Sequence, residues 1–281
     1  MSAYIWWQAE GMTILLDGGT GHELVALASG EPTPIWSAQV MLDAYSATRC
    51  RLGPAGMEDH YEILQRQAGE AALAARAAAG RSEVLIAGCL SPYRWSYRGD
   101  LALPYDELWP TYAETAQLQA PAIDLILCET LSSISEARAA ARGAAEAEVP
   151  IWVSWSVMDD TTARLRSGEP LAEACAAVAS WDVPVERILV NCSAPEAISA
   201  AVEVLARHAD RPFGAYANGF THVGVNYAPG DTPKLDEAQR IDLDPVEYAD
   251  IVDRWIAAGA SAVGGCCDIG PAHIAEINRR R

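Results

Sequence analysis

The sequence AVGGCC, which spans Ala262–Cys267, runs from a short apolar segment through two glycines to two adjacent cysteines. The sequence ILVNCS at Ile188–Ser193 has the same design, because an apolar segment again leads to a cysteine. Short apolar runs of this kind are typical of buried parallel strands. In a barrel of parallel strands the carboxyl ends of all strands meet at one face, where active sites lie. We therefore expect these cysteines to lie at one face of a barrel.

Strands and helices alternate along the rest of the chain, which predicts β-α-β units and a parallel sheet. The predicted strands lie near residues 13–16, 84–90, 124–130, 150–157, 187–192, 213–219 and 262–267. The clearest predicted helices lie at residues 57–79, 108–119, 135–148, 171–180, 195–208, 246–258 and 271–278. The fold class is therefore α/β, and the architecture is a (β/α)8 TIM barrel. No linker or composition break is visible, so residues 1–281 are expected to form one domain.

One strand of the predicted barrel is not identified. The residues between Leu24 and Val84 contain helical patterns but no clear strand. We therefore expect the second β/α unit to be missing or degenerate. The barrel is then open, uses residues 44–48 as a makeshift strand, or is completed by a partner chain. An open strand edge favours pairing, so a homo-oligomer is one expectation.

Composition and charge argue against several classes of protein. The formal net charge of −18 disfavours nucleic acid as a partner, since its phosphates bind basic surfaces. No apolar run reaches the length of about 18 residues that a membrane-spanning helix needs. The first seven residues have no basic region and no long apolar core, so no signal peptide is expected. Seven cysteines in an α/β pattern fit a reducing compartment, which predicts a cytoplasmic protein.

Three cysteines at one barrel face suggest a metal site. Thiolates of Cys192, Cys266 and Cys267 would hold zinc and leave its fourth position open, which is the catalytic arrangement. The alternative is packing, because free cysteine is among the most buried residue types. The glycines Gly264 and Gly265 favour the metal, since paired glycines mark the close approach of a ligand or of backbone. Spacing alone leaves both interpretations open.

A glycine-rich turn, Asp17–Gly21, follows the first predicted strand. Its spacing differs from that of a dinucleotide fingerprint or a P-loop. A better interpretation is a tight loop that brings its backbone and the Asp17 carboxylate to a small ligand. The alternative role for Asp17 is to cap the following helix.

Four motifs together resemble the homocysteine S-methyltransferase family. They are DGG at residues 17–19, CET at 128–130, NCS at 191–193 and GGCC at 264–267. The smaller motifs RLRSGEP at 164–170 and GAYANG at 214–219 are similar to stand-alone bacterial members of that family. The resemblance covers nearly the whole chain. It implies a zinc-dependent (β/α)8 barrel that methylates homocysteine to methionine, with a cationic sulfonium compound, S-methylmethionine or S-adenosylmethionine, as donor.

The resemblance also implies a ligand set. In the family pattern Cys192, Cys266 and Cys267 are the residues that hold Zn²⁺. Cys89 and Cys128 lie at strand ends as well, but the family pattern does not make them ligands. We therefore expect those two cysteines to be packing residues.

The resemblance further implies how homocysteine is held. Asp17, with the backbone at Gly18, and Glu129 would bind its amino group. Asn218 would orient substrate or water, and a turn role is the alternative. His22 stands where the family usually has a small or polar residue, so it either touches the substrate or faces solvent.

The family pattern locates the gap as well. After residues 36–43 the family has a helix and a second strand, whereas this chain passes almost directly to Ala44–Arg49. If the shortened barrel cannot close, the chain is a degenerate relative that binds zinc or a thiol without turnover. A third alternative, an unrelated thiol-zinc hydrolase, has no histidine-rich or general-base motif to support it.

A sulfonium donor requires a site that tolerates positive charge, and aromatic faces provide one. Betaine and other onium compounds make a similar demand, so they stay open as alternative donors. A methylfolate donor is disfavoured, because the chain has no room for folate and cobalamin domains. The candidate aromatic residues are Tyr93, Trp95, Trp155 and Tyr216.

Overall fold

The computed structural model describes residues 13–19, 45–223 and 240–281. The strands in these ranges are β1 (Ile14–Leu15), β2 (Ala87–Leu90), β3 (Leu125–Leu131), β4 (Ile151–Trp155), β5 (Val185–Asn191), β6 (Phe213–Ala217) and β7 (Ala262–Gly265). The α-helices are α1 (Arg49–Leu52), α2 (Tyr61–Ala78), α3 (Tyr105–Gln119), α4 (Ile134–Ala144), α5 (Leu171–Val178), α6 (Pro195–His208), α7 (Pro245–Ala257) and α8 (Pro271–Arg279). Short 3-10 helices lie at Gly53–Ala55, Glu58–His60, Gly99–Leu101, Ala120–Ala122 and Ala145–Ala147.

The strands form one parallel sheet in the order β1-β7-β6-β5-β4-β3-β2. The sheet is curled, so the predicted α/β class and the parallel, barrel-like arrangement are confirmed. Within the described ranges β1 and β2 are its two edges. Residues 20–44, which lie between these strands in the sequence, are outside the described residues. The missing second unit and the oligomer therefore stay predictions.

The segment offered as a makeshift strand does not form one over the part that is described. Residues 45–46 form a turn, and Thr48 caps α1 by accepting a hydrogen bond from the backbone N–H of Arg51. One other predicted bound also shifts. The strand expected from Val84 begins only at Ala87, because the N–H of Val84 closes a turn onto the carbonyl of Arg81 at 3.0 Å.

Side chains of the sheet alternate between two apolar layers, as the pleat of a strand requires. One face packs against the helices and forms the main core. The other face carries a smaller cluster whose members are Ile14, Leu16, Leu125, Leu127, Trp152, Leu189, Tyr216, Ala262 and Cys266. The inner face therefore has apolar side chains along the strands, and it changes to sulfur and oxygen groups where the strands end.

Helices α3 and α4 touch at a glycine. A Cβ atom added to Gly143 would lie 2.5 Å from the Cβ of Tyr112 and 2.7 Å from the backbone nitrogen of Ala113. Only the absence of a side chain lets the two helices approach this closely. In contrast, a Cβ at Gly53 would meet nothing nearer than a carboxylate oxygen of Glu58 at 3.8 Å.

We expect Gly143→Ala to lower the free energy of unfolding. Overpacking of a close contact costs about 1–3 kcal/mol, which exceeds the gain of about 1 kcal/mol in helix propensity. Gly53→Ala is the matched control, and it should leave the free energy unchanged or raise it by up to about 1 kcal/mol. Urea denaturation of both variants checks this. Equal stability of the two variants would contradict the packing of α3 on α4.

Candidate metal centre

Three cysteines meet beyond the carboxyl ends of β5 and β7. The Sγ atoms of Cys192, Cys266 and Cys267 all lie within 4.8 Å of one another, and we call this group the cysteine cluster. The sulfurs of Cys192 and Cys267 are 3.8 Å apart. A tetrahedral zinc ion with Zn–S bonds of about 2.3 Å places its sulfur ligands about 3.8 Å apart. The cysteine cluster therefore fits a tetrahedral metal ion, and its three cysteines are free rather than disulfide-bonded.

Strand β6, which lies between β5 and β7, fixes the separation of these cysteines. The N–H of Cys192 donates to the carbonyl of Tyr216 at 3.1 Å, and the N–H of Cys266 donates to the carbonyl of Ala217 at 2.8 Å. The carbonyl of Cys267 accepts from the N–H of Gly219 at 2.8 Å. The parallel ladder thus continues past the strand ends and holds the sulfur-bearing backbone on both sides of β6.

The two glycine pairs let loop backbones approach each other behind the cysteines. A Cβ at Gly19 would lie 2.6 Å from the carbonyl oxygen of Cys266, and one at Gly18 would collide with the carbonyl oxygen of Ile269. A Cβ at Gly265 would collide with the side chain of Ile269. Gly18 and Gly19 therefore mark the close approach of backbone, whereas Gly265 makes room for the side chain of Ile269.

The charge state of the cysteine cluster depends on what lies between the sulfurs. Hydrogen bonding to the sulfur of Cys192, together with burial, raises the pKa of Cys266 and of Cys267 well above its usual range. Without a cation Cys266 and Cys267 therefore keep their protons at neutral pH. A bound divalent metal inverts this, because a coordinating thiol is deprotonated outright.

Asn191, the last residue of β5, ties the neighbouring strand ends together. Its Oδ1 accepts from the N–H of Thr130 at 3.0 Å and from the hydroxyl of Ser154 at 2.7 Å. Its Nδ2 donates to the Oγ1 of Thr130 at 2.9 Å. Thr130 and Cys192 have φ angles of 61° and 52°, a left-handed conformation that residues other than glycine rarely adopt. Asn191 thus supports two turns, one beside Glu129 and one at Cys192.

Glu129 lies at the end of β3 between two hydrogen-bond donors. The thiol of Cys89 donates to Oε1 at 3.1 Å, and the hydroxyl of Tyr216 donates to Oε2 at 2.9 Å. We call these three residues the Glu129 cluster. Burial raises the pKa of Glu129 to about 7, although both hydrogen bonds act in the opposite direction. The charges of Cys192 and Asp17 raise it further, so the Glu129 cluster lies in the electrostatic field of the cysteine cluster.

Asp17 and Asn218 lie at the ends of β1 and β6. Asp17 is exposed, and its carbonyl accepts a hydrogen bond from the N–H of Gly265 at 3.0 Å. Asn218 is fully buried, and its Oδ1 accepts from the N–H of Phe220 at 3.2 Å, which is the turn role. Its Nδ2 has no hydrogen-bond partner among the described residues. Asn218 therefore also offers a buried amide donor. The structure does not describe His22.

Sequence reasoning missed Tyr97. Its hydroxyl lies 2.9 Å from the Sγ of Cys192, and the guanidinium carbon of Arg166 lies 5.1 Å from its ring centroid. Burial raises the pKa of Tyr97 well above its usual range. Tyr97 belongs to an irregular segment without periodicity, so the chain order gives no sign that it meets a residue 95 positions later.

Two further sequence interpretations need correction. Cys89 is not merely a packing residue, because its thiol contacts Glu129. Cys128, by contrast, lies fully buried in the main core. Trp155 was a wrong candidate for a cation-facing ring, since it is fully buried in the main core with its ring edge-to-face to Trp181 at 6.5 Å.

The other aromatic candidates have partners within the chain. The ring of Trp95 lies under the guanidinium of Arg51, 5.2 Å from its centroid, so a cation already occupies one face. Tyr93 packs against the main core, and Tyr216 belongs to the Glu129 cluster. Among the described residues, no helix is long and apolar enough to span a membrane.

Comparison with known proteins identifies a family that this chain matches. The homocysteine S-methyltransferase family model matches residues 40–281. Homocysteine S-methyltransferase of Escherichia coli K12 is 27% identical over 306 residues, which cover 95% of this chain and 94% of that protein. Homocysteine S-methyltransferase 4 of Zea mays is 27% identical over 311 residues, which cover 94% and 88%. The metallated crystal structure of the E. coli homocysteine methyltransferase MmuM superposes with a TM-score of 0.78 at 26% identity, over 97% of each chain.

We expect the cysteine cluster to bind one divalent metal ion per chain. Cobalt titration of reduced protein should give sulfur-to-cobalt charge-transfer absorption that saturates near one equivalent. Cys192→Ser removes one of three ligands and should weaken binding at least tenfold. Cys50→Ser is the matched control, since Cys50 lies in α1 outside the cluster. Saturation of Cys192→Ser at the wild-type cobalt concentration would contradict the assignment.

Proposed function

The chain belongs to the homocysteine S-methyltransferase family, and on that premise we propose that it methylates the thiol of homocysteine to give methionine. Zn²⁺ would be held by Cys192, Cys266 and Cys267. The donor would be a cationic sulfonium compound, S-methylmethionine or S-adenosylmethionine. The observation that carries the proposal is the convergence of three sulfur atoms at zinc-compatible separation, with the partly buried carboxylate of Glu129 in their electrostatic field.

The donor set supports zinc as the metal. Thiolate sulfur is a soft ligand that suits zinc, and three protein ligands leave a fourth position for a substrate. When bound, zinc would lower the pKa of the homocysteine thiol and so supply the thiolate nucleophile. The cysteine cluster would hold the metal at the strand ends, and β6 would keep its ligands at a fixed separation.

The Glu129 cluster would hold the amino end of homocysteine. An ammonium group beside Glu129 stabilises the carboxylate form, because an opposite charge lowers the pKa of a carboxyl. Tyr216 and Cys89 would orient the carboxylate through their hydrogen bonds. Asp17 with the Gly18 backbone would act from the neighbouring strand end, and the amide of Asn218 would orient substrate or water.

The transfer itself needs little acid–base chemistry from the protein. A bond forms between the homocysteine sulfur and the donor methyl carbon, while the bond from that carbon to the sulfonium breaks. The electron pair stays on the donor sulfur, which leaves as a neutral thioether. The homocysteine thiol loses its proton to solvent water. The protein therefore contributes mainly by orienting the two sulfur atoms on either side of the methyl group, which is worth several kcal/mol of barrier.

The test is methionine formation by zinc-loaded protein. Homocysteine would be supplied with trideuteromethyl-labelled S-methylmethionine, S-adenosylmethionine or betaine, and labelled methionine would be measured by mass spectrometry. We expect product with at least one sulfonium donor and none from Cys192→Ser. Product with betaine alone would overturn the sulfonium assignment. No product from any donor, with zinc bound, would favour binding without turnover.

We expect Glu129→Gln to raise the KM for homocysteine while zinc content stays unchanged. A hydrogen bond to a charged group contributes about 1.5–3 kcal/mol, which corresponds to a roughly 10–150-fold change. Glu136→Gln is the matched control, because burial also raises the pKa of Glu136 to about 7 and its carboxylate accepts from the N–H of Ser132 instead. Steady-state kinetics and zinc analysis check the variants. An unchanged KM in Glu129→Gln would rule out the ammonium contact.

Amino-acid binding should weaken as the pH falls through about 7, the value to which burial raises the pKa of Glu129. Above that pH Glu129 is a carboxylate that attracts ammonium, and below it the group is neutral. Methionine is the suitable ligand, since it has no thiol to titrate. Calorimetry should show its Kd rising about tenfold per pH unit below the pKa. A pH-independent Kd, or the same slope in Glu129→Gln, would contradict this.

A further inference from the structure

We propose that Tyr97 is a positioning residue of the metal centre, where its phenol donates a hydrogen bond to the sulfur of Cys192. Arg166 holds the phenol ring in place. The inference rests on the proposed function, because it treats Cys192 as a metal ligand. It concerns the chain's own residues around the ligand sulfur rather than the ligand set.

The direction of this hydrogen bond follows from the chemistry of the two groups. The Tyr97 hydroxyl and the Cys192 sulfur are 2.9 Å apart, and either could donate if both carried a proton. A cysteine that ligates metal is a thiolate and has no proton to give. A phenol with an ordinary pKa of about 10 keeps its proton at neutral pH. Tyr97 is therefore the donor whenever a metal occupies the site.

The backbone of Tyr97 has an unfavourable conformation that serves this contact. Its φ angle is 66°, in the left-handed region that bulky residues avoid. Such conformations cost about 1–3 kcal/mol and persist only where surrounding structure enforces them. The neighbouring residues make contacts of their own, since the hydroxyl of Ser96 bonds to the hydroxyl of Tyr45 at 2.7 Å and Arg98 pairs with Asp100 at 2.7 Å.

Arg166 covers the ring from a rigid position. Its side chain is only 2% exposed, and its Nη1 donates to Asp159 Oδ2 at 3.0 Å. Its Nε donates to the hydroxyl of Ser156 at 3.1 Å. The other carboxylate oxygen of Asp159 accepts from the N–H of Ala194 at 3.0 Å, two residues after Cys192. One buried ion pair therefore fixes both the phenol and the segment that carries the sulfur.

In this arrangement Tyr97 interacts with the sulfur of Cys192 rather than with the methyl donor. The guanidinium of Arg166 already stacks on the phenol ring, so a second cation on that face would be repelled. A hydrogen bond to a thiolate stabilises its negative charge and so raises the energy of sulfur-to-metal charge transfer. Hydrogen bonds of this kind orient ligands, and losing one typically changes metal affinity or activity 10–100-fold.

The test compares Tyr97→Phe with Tyr93→Phe, which removes a hydroxyl from a ring packed on the main core in the same segment. Zinc affinity would be measured by competition with a chromophoric chelator, and cobalt-loaded protein by absorption spectroscopy. For Tyr97→Phe we expect a 10–100-fold higher zinc Kd and a charge-transfer band at lower energy. Its metal-free unfolding midpoint should match the wild type, and Tyr93→Phe should behave as wild type throughout.

Arg166→Lys is the second variant, because lysine keeps the charge but loses the planar fork that stacks and binds in two directions. We expect the cobalt band to shift in the same direction as in Tyr97→Phe. This spectroscopic readout reports on the sulfur itself, which a loss of general stability would not move. A wild-type band in Arg166→Lys would overturn the role given to Arg166.

Other results would overturn the proposal in distinguishable ways. An unchanged zinc Kd and cobalt spectrum in Tyr97→Phe would show that the phenol does not act on the sulfur. A change in KM alone, with both metal readouts unchanged, would assign Tyr97 to substrate instead. A wild-type protein that binds neither metal would overturn this proposal and the proposed function together. If the zinc Kd and the cobalt spectrum change as expected but neither the wild type nor any variant transfers a methyl group, only the proposed function is overturned.

Discussion

The hydrogen bonds that β6 makes to its two neighbours beyond the end of the regular sheet are the constraint on which the site depends. They set the distance between the turn that bears Cys192 and the turn that bears Cys266 and Cys267. The resulting sulfur separation fits one cation, and without one Cys266 and Cys267 keep their protons at neutral pH. The geometry of the sheet therefore sets the separation of the three sulfur atoms, on which the chemistry of the site depends.

Around this centre, polar groups form hydrogen bonds and ion pairs with one another rather than with solvent. Asn191 joins the ends of three strands, and the pair of Asp159 and Arg166 joins the loops that follow β4 and β5. Buried ion pairs add little net stability, but with every hydrogen bond satisfied they favour one arrangement of the groups that contact them. The two networks thus act on position, and the apolar layers of the sheet supply most of the stability.

Sequence analysis predicted the features of the fold and of the site that depend on periodicity and on the positions of strand ends. The alternation of strands and helices gave the parallel sheet, and the apolar runs that lead to cysteines led to the cluster, because parallel strands end at one face. Contacts of irregular loops could not be predicted in this way, so Tyr97 was missed. The thiol contact of Cys89 was predictable, because Cys89 pairs with Leu127 on the neighbouring strand and Glu129 lies on the same face as Leu127. Trp155 illustrates an avoidable error. It lies three residues after the inward-facing Trp152, so strand alternation already places it on the opposite face.

The pairing of β1 with β7 has a consequence for how the protein is made. Residues 14–15 find their partner only when residues 262–263 have been synthesised, and two of the three clustered cysteines follow directly. All residues from 14 to 267 must therefore be synthesised before the three thiols can meet. A metal ion that needs all three thiols can bind only after that point. Cys192 is therefore made well before the two cysteines that complete the cluster.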